Sequence, residues 1–171
     1  MRALRNLLSF QRKLKKLEHS TRMRMRNHLV AQYFPELDTC CNWGANEGLA
    51  IVKACLDPAV ISTLQHDEFL RKIQTRVITL AQQRRLSTVW QRAFKSIGCE
   101  FGLSVEYEAQ MMVKMLGQVR MSIADTQQQI KTVCEKFPEY EYLLSIPGFG
   151  PDISAKTLGA IGDPFRFDNA S

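Results

Sequence analysis

Glycine and proline are scarce, nine and six among 171 residues, too few for the closely spaced tight turns of a β-sandwich or barrel. A run of about 20 apolar residues, the length that crosses a bilayer, is missing; the best stretch, residues 48–56, is broken by Lys53. The first ten residues set Arg2 and Arg5 among leucines with no apolar block or small-residue cleavage site, which excludes a signal peptide. A soluble, cytoplasmic protein without a membrane partner is therefore expected. Cys40, Cys41, Cys55, Cys99 and Cys134 are odd in number and lack C-x-x-C spacing, so reduced, mostly packed thiols are expected. The histidines, His19, His28 and His66, show no paired ligand spacing, which argues against zinc. Asp57, Asp67, Glu68, Glu106 and Glu108 fall at predicted helix starts, where capping accounts for them without a metal site.

What is present is charge, unevenly placed. The net charge is +6, yet residues 1–28 alone carry nine Lys and Arg against Glu18, a local balance of +8 that leaves −2 for the rest. Arg12, Lys13, Lys15, Lys16, Arg22, Arg24 and Arg26 make this element a cationic rod. Such a rod attracts a polyphosphate by releasing its condensed counterions, without regard to sequence and with strong salt dependence. The competing reading is a solvated helix face.

Hydrophobic spacing assigns the fold class. Ala3, Leu7, Phe10, Leu14, Leu17 and Thr21 alternate at steps of four and three, one narrow coiled-coil seam on a helix from about residue 3 to 34 that Pro35 stops. Asp38, Thr39, Asn42 and Gly44 mark a loop. Asn46 is positioned to cap a short helix, and Asp57-Pro58 to open another. Leu64, Phe69, Leu70, Ile73, Val77, Leu80 and Leu86 carry helical spacing on to a break near Gly98 and Gly102. A second seam, Met112, Met115, Val119, Ile123, Thr126, Ile130, Val133 and Phe137, runs from a start at Ser104 to Pro138. The expected fold is all-α: two long coiled-coil helices flanking a small helical subdomain, followed by a C-terminal helix-hairpin-helix element. The divisions are 1–37, 38–103, 104–138 and 139–171.

Residues 143–158 read LLSIPGFGPDISAKTL. Gly148 and Gly150 suit a tight turn with positive φ, Phe149 between them is expected to plug the hairpin, and Ala155 is small where two helices cross. Gly162 is expected to close the second helix, residues 152–161, as a left-handed cap. Such a corner presents backbone N–H groups beside a helix N-terminus, a site for one phosphate of a nucleic-acid strand. Gly148, Phe149, Gly150, Ile153 and Lys156 are the candidate DNA-binding residues. Asp152 opposes a phosphate there, and Lys156, one turn on, offsets it. A purely structural helical hairpin is the alternative.

The hairpin is followed at 160–167 by AIGDPFRF. Together these segments resemble the IS-one-ten family of insertion-sequence transposases, whose last domain opens with an L-S-I-P-G-h-G-P stretch followed by I-G-D and R-F. Thr21-Arg22, Asn27-His28-Leu29 and Phe34-Pro35-Glu36-Leu37 look like that family's segment after its nuclease-like domain. The resemblance implies DNA transposition and recombination, with DNA and a guide RNA as partners and a bacterial, nucleoid-associated location; the two seams can pair with each other or with a second chain, and homo-oligomers through the coiled coil are expected. It also implies an acidic quartet holding a divalent metal such as Mg and a nucleophilic serine. Family order places the quartet upstream of this sequence and the serine downstream, and Ser171, four residues after Phe167, does not match it. No catalytic residue and no cofactor is therefore expected in this chain, which reads as a DNA-binding and assembly part. The alternative is a non-catalytic coiled-coil oligomerisation or interaction protein.

Overall fold

The computed structural model describes residues 1–40, 43, 48–49, 52–53, 57–73 and 79–162. Among these residues the protein is all-helical, and no helix is long and apolar enough to cross a membrane. Helix α1 (Arg2–Arg24) continues through a π-helical stretch, Met25–Val30, into α2 (Ala31–Tyr33). Phe34 then leaves helical geometry at φ −151°, ψ 69°, and Pro35 opens a 3₁₀ turn, Pro35–Thr39. Proline lacks the N–H that would extend the ladder and disfavours α geometry in the residue before it, so the predicted stop falls where expected.

Asp57 begins α3 (Pro58–Thr63) by accepting the amides of Ala59 and Val60, with Pro58 at the first helical position. Helix α4 is His66–Ile73 and α5 is Leu80–Ala93. The helical spacing read from Leu64 to Leu86 is thus interrupted. Leu64 adopts extended geometry at φ −85°, ψ 143°, and Thr79 restarts the chain with a capping box, its hydroxyl accepting Gln82 N–H while Gln82 accepts Thr79 N–H. Leu80, read as part of an apolar face, is 75% exposed. Asn42, Gly44, Asn46, Cys41, Cys55 and Val77, and the segment from Asp163 that holds Arg166, Phe167 and Ser171, lie outside the described residues. Helix α6 (Leu103–Cys134) ends four residues before Pro138, which instead opens α7 (Pro138–Leu144); α8 is Pro151–Ile161.

The chain divides into two compact units: a terminal unit of Met1–Glu18 with Val119–Ser171, and a central unit of His19–Gln118. The central core packs Met25, Leu29, Val30, Phe34, Leu37, Ile61, Phe69, Leu86, Val89 and Leu116. Each such side chain contributes on the order of 1.5–3 kcal/mol by leaving water. Around it, Glu36 ties the 3₁₀ turn to the chain after α5: its carboxylate accepts Ser96 Oγ–H at 2.8 Å and Ile97 N–H at 3.1 Å, and Arg92 donates to the Glu36 carbonyl at 3.2 Å. Cys99 N–H bonds Gln32 O at 2.8 Å. A Cβ on the neighbouring Gly98 would sit 2.1 Å from Tyr33 O, so only glycine allows this approach.

The terminal core is Leu4, Ile130, Cys134, Tyr140, Ala155 and Leu158, with Leu7, Leu8, Val133, Phe137 and Leu143 against it. Burial, reinforced by Glu135, pushes the Cys134 thiol up, leaving it a neutral packed group. Cys40 is also a buried free thiol, whereas Cys99 is free and exposed.

The buried stripe of α1 differs from the predicted seam. Leu4 and Gln11 face inward, Leu7, Leu8 and Leu14 are half-buried, and Phe10 and Leu17 are 51% and 46% exposed. The reason is packing against α8: Leu4 and Leu8 are the side chains that a Cβ on Gly159 would meet, and Gln11 donates to Gln127 on α6. On α6 the predicted stripe largely turns inward, but Met115 is exposed and its neighbour Leu116 is buried.

Candidate nucleic-acid interface

Helices α7 and α8 form a helix-hairpin-helix. Backbone bonds wind the corner tightly: Ser145 N–H to Glu141 O at 3.1 Å, Ile146 N–H to Leu143 O at 3.2 Å and Phe149 N–H to Ile146 O at 3.0 Å. Gly148 turns at φ +88°, the geometry that favours glycine. Gly150 does not share it: as N-cap of α8 it has φ −75°, ψ 172°, so the expected second positive φ is corrected to ordinary extended backbone. Gly162 has φ +75° with ψ −132°, and its N–H closes the helix on Leu158 O, a positive-φ cap outside the left-handed helical region proper. Phe149 is half-buried and Ala155 is buried.

The corner retains the amides the sequence anticipated. No backbone carbonyl among the described residues receives Gly148 N–H or Gly150 N–H. Pro151 heads α8 without a donor, and Ser154 N–H makes the first α bond, to Gly150 O at 3.0 Å. The first-turn amides of Asp152 and Ile153 therefore lack an α-type partner. Ile153 is 47% exposed beside them.

A groove of about 590 Å³ lies beside α8 within the terminal unit, lined by Arg5, Leu8, Ser9, Gln11, Arg12 and Lys15 of α1 and by Lys156, Gly159 and Ala160 of α8. Four cations converge on it. Arg5 is anchored, its Nε donating to Gly159 O at 2.8 Å. Lys156 pairs with Asp152 at 2.5 Å, and Lys15 stands 4.0 Å from the same carboxylate. The Asp152 charge is thus matched twice. All three side chains are about half exposed, so each pair is worth little and exchanges readily for another anion.

The other rod residues part company. Lys13 and Lys16 are exposed on α1 away from the groove. Arg22 Nη2 lies 3.3 Å from His19 Nδ1, and Arg24 lies 3.9 Å from Glu108. Arg26 is committed to structure: it donates to both Asp38 oxygens, at 2.5 and 2.7 Å, while Trp43 Nε1–H donates to the same carboxylate at 3.0 Å. This pairing holds the Asp38 carboxyl below its usual range and raises the Arg26 guanidinium. Arg26 therefore leaves the phosphate-binding set, because a bidentate carboxylate already fills its donor fork. Arg5 enters the set; its place one helical turn before Leu8 and Ser9 was visible in the sequence, but not that α8 packs beside it.

Two other constellations do not make sites. His66 Nε2 lies 2.9 Å from Ser87 Oγ and its Nδ1 lies 3.5 Å from Asp67, an arrangement with the atoms of a hydrolytic triad. The Ser87 hydroxyl donates to Gln83 O at 2.9 Å, so its proton is directed into the helix backbone and not to the imidazole. Among the described residues no three His, Cys, Asp or Glu side chains are grouped so as to hold a metal ion: Asp57 is spent on capping α3. Compared with protein-family models, curated proteins and solved structures, the chain matches none.

Proposed function

We propose that this chain is the DNA-binding and assembly portion of a transposase of the IS-one-ten type, acting in DNA transposition and recombination in the bacterial nucleoid, with a guide RNA as second polynucleotide. The observation that carries the reading is the juxtaposition of Arg5, Arg12 and Lys15 on α1 with Lys156 on the second helix of the hairpin. Four cations convergent on one groove, with the corner amides at the head of the same helix α8, suit a sugar-phosphate chain, which needs charge neutralisation and backbone donors but no base recognition. No bond-breaking step is assigned to any residue here.

The test is a filter-binding titration on duplex DNA across salt concentration. Binding should weaken steeply with salt, and the triple variant Arg12→Ala, Lys15→Ala, Lys156→Ala should reduce the slope of log K against log salt by about 0.9 for each phosphate no longer neutralised. Affinity that is indifferent to salt, or to these three substitutions, would sink the reading. The exposure of Phe10 and Leu17, seven residues apart on one face of α1, favours a second reading: a non-catalytic protein that self-associates through a coiled coil. Light scattering separates the two, since association abolished in Phe10→Ser, Leu17→Ser with DNA affinity unchanged would make self-association the principal role.

A further inference from the structure

The groove between α1 and α8 carries its own counter-anion. None of the described residues that line it is acidic, yet two of its four cations already face one carboxylate at the rim. Asp152 Oδ2 lies 2.5 Å from Lys156 Nζ, and Asp152 Oδ1 lies 4.0 Å from Lys15 Nζ. Lys15 belongs to α1 and Lys156 to α8, so a single acid joins the two walls. Its oxygens are divided between the lysines as two oxygens of one phosphate would be.

The same contacts give the groove a direction. Arg5 meets Gly159 and Lys15 meets Asp152, so α1 and α8 run antiparallel along it. From Arg5 to Lys15 helix α1 rises about 15 Å, at 1.5 Å per residue. That length matches about four phosphates of one DNA strand, at about 3.4 Å each along the axis. Asp152 stands at the hairpin end, two residues after Gly150, and Arg5 stands at the far end. An isolated phosphate seated between Lys15 and Lys156 would only replace the contacts that Asp152 already makes. A chain of phosphates gains Arg5 and Arg12 as well, with which Asp152 makes no pair.

We infer that Asp152 is an internal stand-in for phosphate and sets the specificity of the groove: it holds Lys15 and Lys156 against isolated phosphates and yields them to a polyphosphate chain. This role rests on the proposed function in taking the groove as the seat of a sugar-phosphate chain, and it adds the residue that decides which anions enter. The three side chains are about half exposed, so the pairs are weak enough to exchange. Once displaced, the carboxylate remains in the first turn of α8, where the positive end of the helix dipole favours it.

The experiment measures binding of a short DNA duplex to the full chain and to Asp152→Asn at constant ionic strength, first in chloride and then with inorganic phosphate replacing chloride. Circular dichroism checks helicity. In chloride, Asp152→Asn should bind about threefold to tenfold more tightly, the scale of two exposed pairs released. Phosphate should erase that gain, because the opened lysines accept it, and should leave the affinity of the parent chain unchanged. In a Lys15→Ala, Lys156→Ala background, Asp152→Asn should give no gain. Weaker binding by Asp152→Asn would make the carboxylate a positioning group for the lysines and overturn the inference. A gain that survives loss of both lysines, or that phosphate leaves intact, would also overturn it, since plain repulsion of a polyanion then suffices. If Asp152→Asn loses helicity, Asp152→Ser must show the same gain. A parent chain that binds with steep salt dependence beside an unimproved Asp152→Asn removes the role of Asp152 alone, whereas loss of salt dependence in both removes the groove reading with it.

Discussion

Arg12 and Arg26 belong to one basic run, yet they end in opposite roles. In the central unit, positive charge is spent inward: Arg26 is clasped by Asp38, and Arg92 is tied to the Glu36 carbonyl. In the terminal unit, Arg12 and Lys15 line an open groove with Lys156. Counting charges along a sequence does not separate a structural cation from an available one. What separates them is whether a carboxylate of matching geometry is folded onto the same spot, and Asp38 is brought to Arg26 by the turn that Pro35 starts.

The sharpest way to probe this contrast is to loosen the inward-tied unit. Gly98→Ala should cost about 3 kcal/mol, at the upper end of overpacking effects, because the new Cβ meets backbone at Tyr33 and displaces the neighbouring Cys99–Gln32 bond. Chemical denaturation would record it. Gly117→Ala on α6, where no atom lies within 4 Å of the new Cβ, should instead stabilise by about 1 kcal/mol. In the terminal unit the two hairpin glycines should part. Gly148→Ala, forced to positive φ, should lose about 1–2 kcal/mol, whereas Gly150→Ala should be close to neutral in denaturation, since its backbone is ordinary and its surroundings open.

Smaller effects follow acid titration. Asp38 is held below its usual range first by the hydrogen bond from Arg26. For Glu36, burial pushes upward, but bonds from its own amide, Ser96 and Ile97 outweigh it and the carboxyl is lowered. Both groups therefore bind protons more readily unfolded than folded. Their contribution is complete above the ordinary carboxylate range near pH 4 and is lost as pH falls through the lower folded values. Thermal melts should show Asp38→Asn flattening that acid limb, with the DNA salt slope unchanged. Arg12→Ala should do the reverse, lowering the salt slope and leaving the acid limb intact.

The helical class, the stop at Pro35, the cap at Asp57 and the helix-hairpin-helix were legible because each depends on local chemistry: a missing N–H, a side-chain acceptor, a glycine at a corner. The rotation of α1 was not legible. Ala3, Phe10 and Leu17 satisfy a seven-residue repeat, but the close approach permitted by Gly159 on a helix some 150 residues away turns Leu4 and Leu8 inward. The restart at Thr79 was present in the sequence as a Thr-x-x-Gln cap and was hidden by apolar spacing that ran past it. The candidate groove was half legible: its cations were named except Arg5, and their convergence depends on tertiary packing that spacing does not encode.

The π-helical stretch keeps phase. Ala31 N–H reaches back five residues to Arg26 O, one more than an α turn, so the segment holds a residue that a regular helix would not need. Because the wider turn spreads nearly the same rotation over one more residue, deleting one residue there would let the ladder close as an ordinary α-helix and leave the chain after it in nearly the same phase, with the Asp38 carboxylate still facing Arg26. A single-codon deletion within this six-residue stretch should therefore be better tolerated than one in the regular helix before it, where the same loss rotates everything after it by about 100°.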